Sequence, residues 1–153
     1  MGPLDVQTIN KLDAAVQQAE AAIDLFYAKR YAPAITLAAA AEGCLAQPGD
    51  RATDANGDLP GPEPLFQMMK RTAAERHDIR ERDAVAIFNA LVYWLKHETR
   101  DAPRTAEVSN FDAWTMIVRA LTKIESVAPG RETPAIVQFI EFSREHYSSI
   151  LGR

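Results

Sequence analysis

Apolar side chains recur along this chain at intervals of three and four residues, and no stretch alternates convincingly with a period of two. The first run, Ile9, Leu12, Val16, Ala19, Ile23 and Phe26, keeps spacings of 3, 4, 3, 4 and 3. That is one stripe of an α-helix. The pattern predicts a helix over about Val6 to Tyr27, with Gln7, Lys11, Gln18 and Asp24 largely off the stripe. Lys29-Arg30-Tyr31 makes a short turn, and Pro33 suits the first turn of a second helix, where its missing N–H costs little. This second helix, about Ala32 to Ala46, is apolar on nearly every side, the signature of a central element. Its alanines allow close approach by neighbours, and Gly43 suggests a backbone contact or a bend.

Gln47 to Pro64 holds four prolines and three glycines among polar residues. It reads as a long flexible loop, of a length uncommon in compact domains unless functional or mobile. A short helix follows from Glu63 to about Glu75, with Leu65, Met68, Met69 and Thr72 on its modest apolar face. The next helix spans about Ile79 to Glu98 and turns Ala84, Val85, Phe88, Leu91, Val92 and Leu95 inward. After a loop containing Pro103, Ser109-Asn110-Phe111-Asp112 resembles a capping box with Asp in place of Glu. The helix it opens runs to about Val127, with Phe111, Trp114, Ile117, Val118, Leu121 and Ile124 inward. Pro129-Gly130 ends it, and Thr133-Pro134 starts a last helix, N-cap then Pro at N1. The expectation is one all-α bundle over residues 1–153, with five major helices, one short one and no fixed-period repeat.

Composition changes this picture little. The chain has 153 residues, 47% hydrophobic and 25% charged, which fits one soluble domain. A net charge of −4 argues against a general nucleic-acid binder but allows a local basic patch. The lone Cys44 permits no internal disulfide, suits a reducing compartment and reads as a small core residue. No signal peptide is evident. The longest apolar run, Ala32 to Ala41, is about half of what a membrane span needs. These features predict a cytoplasmic protein with no membrane partner.

Potential chemistry concentrates in Phe88 to Asp101, FNALVYWLKHETRD. On one continuous helix Asn89, Tyr93, Lys96 and Arg100, at offsets 0, 4, 7 and 11, share a polar strip with His97 at its edge. His97 is the candidate general acid or base, because imidazole titrates near neutrality. Lys96 and Arg100 could hold an anion beside it. The structural alternative is a helix C-terminus whose cations complement the macrodipole. Glu42, on an alanine-rich helix, calls for a partner, with Lys96, His97 or Asn89 as the options across the helix interface. Glu42 and His97 could form an acid/base pair or share a metal ion, or Glu42 could simply fix helix register. No Glu-x-x-His or His-Glu-x-x-His motif exists, and the sequence specifies neither a metal ligand set nor a cofactor. Trp94 points about 110° away from the apolar stripe, at 100° per residue. It suggests a dimer face or cover by the loop after Gly49.

Two phrases carry a family resemblance. Ala22-Ile23-Asp24-Leu25-Phe26, Lys29-Arg30-Tyr31, Ala34 and Ala38-Ala39-Ala40-Ala41-Glu42 look like the opening of HEPN domains. A single tetratricopeptide unit looks similar, but one copy cannot make a repeat protein. Asn89, Lys96-His97 and Arg100-Asp101 resemble uncharacterised bacterial HEPN-like proteins that end this helix in Lys-His-x-x-Arg-Asp. The resemblance implies an up-down bundle, often a homodimer, linked to nucleic-acid or nucleotide transactions in defence and toxin–antitoxin systems. Catalytic HEPN ribonucleases place an Arg four to six residues before a His on a late helix. His97 lacks that Arg, and Asn89 stands nearest in role. Arg71 and His77 have the spacing but sit on the short middle helix. The first expectation is therefore a non-catalytic interaction or regulatory module. A metal-independent ribonuclease using His97, and a metal-dependent enzyme using Glu42 with His97, are the alternatives.

Overall fold

The computed structural model describes residues 2, 4–45 and 59–151. Among these the chain is all-helical, with α1 (Lys11–Tyr27), α2 (Tyr31–Gly43), α3 (Leu65–His77), α4 (Glu81–Phe88), α5 (Ala90–Lys96), α6 (Asn110–Val127) and α7 (Pro134–Leu151). The predicted bundle is therefore present. The expected six helices become seven because the fourth divides at Asn89. No helix among the described residues is long and apolar enough to cross a membrane.

The core is the three-way packing of α1, α2 and α6. Its contact surfaces are largely alanine: Ala15, Ala19, Ala22, Ala34, Ala38, Ala41, Ala113 and Ala120 have no solvent exposure. Such small side chains let backbones approach closely, so Ile23, Ile35 and Ile117 fill what space remains. α2 is central as expected, packed on α1, α6 and α5, and α6 shares that position. The buried residues of α6 cover a wide arc, from Trp114 and Ile117 round to Arg119, Lys123 and Ser126, and leave Thr115, Val118, Thr122 and Glu125 half-buried. α2 buries one strip and half-buries the rest up to the exposed Gly43. Aromatic rings seat α7, with Phe26 edge-on to Phe139 at 5.5 Å and Trp114 stacked on Tyr147 at 4.4 Å.

Local chemistry explains the boundaries. α1 starts at Lys11 because the Asn10 side chain accepts from the Asp13 N–H, so Ile9 stays outside the helix and exposed. α1 ends in a Schellman motif, where the Lys29 N–H donates to Phe26 O and the Arg30 N–H to Leu25 O. Lys29 takes the left-handed conformation there, at φ 59°. The capping box at Ser109 forms in full, with Asp112 as its acidic member. The Ile136 N–H donates to the Thr133 hydroxyl as the N-cap reading expects. Gly43 has no close neighbour and is simply the last residue of α2, so neither the contact nor the bend is needed.

Much of the predicted 47–64 loop lies outside the described residues. Its end, 59–64, is tied to α6. The Gly61 N–H donates to Ser126 O at 2.7 Å, the Ser126 hydroxyl donates to Pro62 O, and the Leu65 N–H donates to the Thr122 hydroxyl at 3.0 Å. A Cβ on Gly61 would sit against Glu125 O and 2.9 Å from Ser126 Cα, so only glycine fits. This clamp directs α3 across α6 and covers the residues described next.

A buried arginine cluster and an exposed basic hollow

α6 carries two cations into the interior: Arg119 is 3% exposed and Lys123, one turn on, 2%. A buried guanidinium needs acceptors, and two elements supply them. Arg119 Nε and Nη2 donate to the two carboxylate oxygens of Glu42 at 2.9 and 2.6 Å, a bidentate pair between α6 and α2. Nη2 also donates to Asn89 Oδ1 at 3.1 Å, at the junction of α4 and α5. The guanidinium lies over the Phe66 ring, 3.6 Å from its centroid, so α3 closes the cluster from outside. One side chain thus joins α2, α3, α6 and the α4–α5 junction.

The cluster has no room for a substrate. The space among Glu42, Pro64, Phe66, Gln67 and Lys123 is about 10 Å³, barely enough for one water. On its other side Arg119 borders an apolar crevice of about 400 Å³ between α4, α5 and α6, walled by residues such as Ile87, Leu91 and Met116.

Of the sequence candidates, the structure brings Glu42 and Asn89 together, but through Arg119 rather than by direct contact. Lys96 and His97, the other partners expected for Glu42, lie away from it in exposed positions. Tyr93 and Arg100 are exposed too. The continuous strip does not form. Asn89 leaves helical geometry at φ −100°, ψ 3°, and α5 ends at Lys96 with His97 extended at φ −129°, ψ 129°. The His97 ring leans on Tyr93, with centroids 4.5 Å apart. Among the described residues no group of three or more His, Cys, Asp or Glu is placed to hold a metal ion. Arg71 pairs with Glu63 across a turn, with Nη2 at 2.9 Å from Oε2. That hydrogen bond holds the Glu63 carboxyl below its ordinary value. Cys44 is half-buried at the end of α2, its thiol 3.6 Å from Lys11 O.

Beyond α5 the chain folds back on itself. The Trp94 indole N–H donates to Pro103 O at 2.7 Å, so Trp94 fastens the loop that follows its own helix. The result is a surface hollow of about 630 Å³ lined by Trp94 and residues of 95–104, among them Lys96, His97, Glu98, Arg100 and Arg104. Lys96, Arg100 and Arg104 form no ion pair among the described residues.

Arg119 is the residue that sequence reasoning missed. The inward face assigned to its helix ran through Phe111, Trp114 and Leu121, whereas Phe111 is 44% exposed and a second face is buried as well. The available signal was Met116, Arg119, Lys123 and Ser126, spaced 3, 4 and 3 on a helix that has apolar residues on its opposite side. Searched against known proteins, the chain matches no family model, no curated protein and no solved structure.

Proposed function

We propose that this chain is a HEPN-like interaction module, working as a homodimer in a defence or toxin–antitoxin setting. It binds an anionic nucleotide or nucleic-acid partner through the hollow after α5. The observation that carries the reading is the lining of that hollow. Lys96, Arg100 and Arg104 converge around a loop that Trp94 holds in place, with Glu98 as the opposing charge in the lining. Three cations that form no ion pair among the described residues outnumber Glu98 in the lining and favour phosphate oxygens, and a fixed loop lowers the ordering cost of binding them. Trp94 and His97 add flat surfaces on which a base can stack. The overall negative charge confines attraction to this patch, which suits a short or specific partner rather than bulk nucleic acid.

The test is fluorescence anisotropy with a labelled single-stranded RNA of a dozen nucleotides, with ATP as competitor. Binding on the order of micromolar, weakening with salt at a logarithmic slope of about −2 for three phosphate contacts, is expected. The variant K96A/R100A/R104A should lose most of it while keeping its helical circular dichroism. Equal binding by variant and parent, or none by either, removes the proposal. The same RNA reports on chemistry. Cleavage that survives chelator and disappears in His97→Ala would replace the non-catalytic reading with the ribonuclease one.

A further inference from the structure

On another face of the molecule α6 and α7 diverge. They touch near one end, where Trp114 stacks on Tyr147 and its indole N–H donates to the buried Ser143 hydroxyl at 3.0 Å. Towards the 128–133 turn they leave a cleft of about 310 Å³. Its walls are Val118, Leu121, Ile124, Ile136, Phe139 and Ile140. We propose that this cleft is a binding site for an uncharged, largely hydrocarbon small molecule, aromatic or aliphatic, with a body about the size of two fused rings.

Three observations lead there. The first is size: a cavity of about 150 Å³ lined by apolar side chains accepts benzene, so twice that volume accepts a bicyclic body. The second is that the polar groups in the wall are already used. Ser143 Oγ donates to Phe139 O at 2.8 Å while accepting from Trp114, and Thr122 Oγ1 donates to Arg119 O while accepting from the Leu65 N–H, both at 3.0 Å. A ligand's polar head would find no partner inside and would be left desolvated. The third is the charged part of the lining, Glu125 and Glu132 with Arg131 and Arg144. Two charges of each sign line the cleft and Arg131 is already paired with Asp13, so nothing there favours an anion.

A protein partner fits the cleft less well. Around a docking surface a broad exposed apolar apron is expected. On α7 the one large hydrophobic residue among those described that is clearly exposed is Val137, at 39%.

The experiment uses two dyes with the same body. N-phenyl-1-naphthylamine is neutral, and 8-anilinonaphthalene-1-sulfonate adds one sulfonate. The neutral dye should show saturable one-to-one fluorescence enhancement and bind at least tenfold more tightly than the sulfonate. Ile140→Trp, which fills the cleft, should weaken it tenfold or more, and Leu91→Ala in the separate apolar crevice should leave it unchanged. If the Ile140→Trp melt shows lost folding, the smaller Val118→Phe serves in its place. No saturable binding, tighter binding of the sulfonate, or loss in Leu91→Ala with retention in the cleft variant would each overturn the assignment. So would a dimer, seen by sedimentation, that Ile140→Trp dissociates while the neutral dye fails to bind the parent.

Discussion

Arg119 concentrates more structural consequence than any other side chain described. Removing one partner of a buried pair leaves the other charged and unsolvated, at a cost of about 3–5 kcal/mol. Glu42 is only part-buried, so Arg119→Met should lower the unfolding free energy in urea titration by an amount towards the lower end of that range. The double variant Arg119→Met/Glu42→Leu should recover much of the loss, since well-packed apolar pairs often replace buried ion pairs without penalty. A single variant no worse than a surface change would show that the cluster is not structural. Lys29 gives a prediction of opposite sign. Its left-handed backbone costs a side-chain-bearing residue roughly 1–2 kcal/mol, so Lys29→Gly should raise the urea midpoint despite removing a side chain. Glu63 supplies a pH dependence. The Arg71 hydrogen bond lowers its folded value, so the contribution is present above the ordinary carboxylate range and lost as pH falls through the lowered value. Both groups are largely exposed, so the difference between parent and Glu63→Gln should be small, salt-sensitive and gone in acid.

At the scale of elements, the division of the fourth helix at Asn89 is the most informative departure from expectation. Periodicity across Phe88 to Leu95 reads as continuous, and part of the hydrogen-bond ladder does continue, with Asn89 N–H to Val85 O and Tyr93 N–H to Asn89 O. What sequence cannot convey is that a guanidinium thirty residues later holds the Asn89 side chain. Asn89→Ala separates the two influences. Helix propensity favours alanine by a few tenths of a kcal/mol, while a hydrogen bond to a charged group is worth about 1.5–3. Net destabilisation by thermal melt is expected, and net stabilisation would mean that the Arg119 contact does not govern the break. Ser109→Ala should cost about 1 kcal/mol through its capping box, which sequence alone identified correctly. The helices and caps were legible because their causes lie within four residues. The Arg119–Glu42 pair spans 77 residues and depends on the 59–64 clamp that lets α3 cover it.

For the whole molecule, burial is unevenly shared. Among the described residues α1, α2, α6 and α7 hold the large buried side chains, Phe139 of α7 being the largest that is fully buried. α3 and α5 have no buried residue, and α4 has one, Ala84. Segments with few buried contacts open at lower free energy than the global transition. Hydrogen exchange followed by mass spectrometry should therefore show 65–96 exchanging before α1, α2 and α6. Uniform protection across all helices would contradict this. The proposed hollow follows directly on this looser layer, so partner binding there should raise protection in α5 first.

The alanine seam between α1, α2 and α6 leaves evolution and engineering a one-way choice. Where a core is built of leucine, a residue can shrink and leave a gap. At the alanine positions there is nothing to shrink, and any substitution that adds bulk must wedge two backbones apart. Because Glu42 and Arg119 sit on two of those backbones, such a wedge also pulls at their paired charges. Sequence drift should collect on the outer helices and leave this seam narrow.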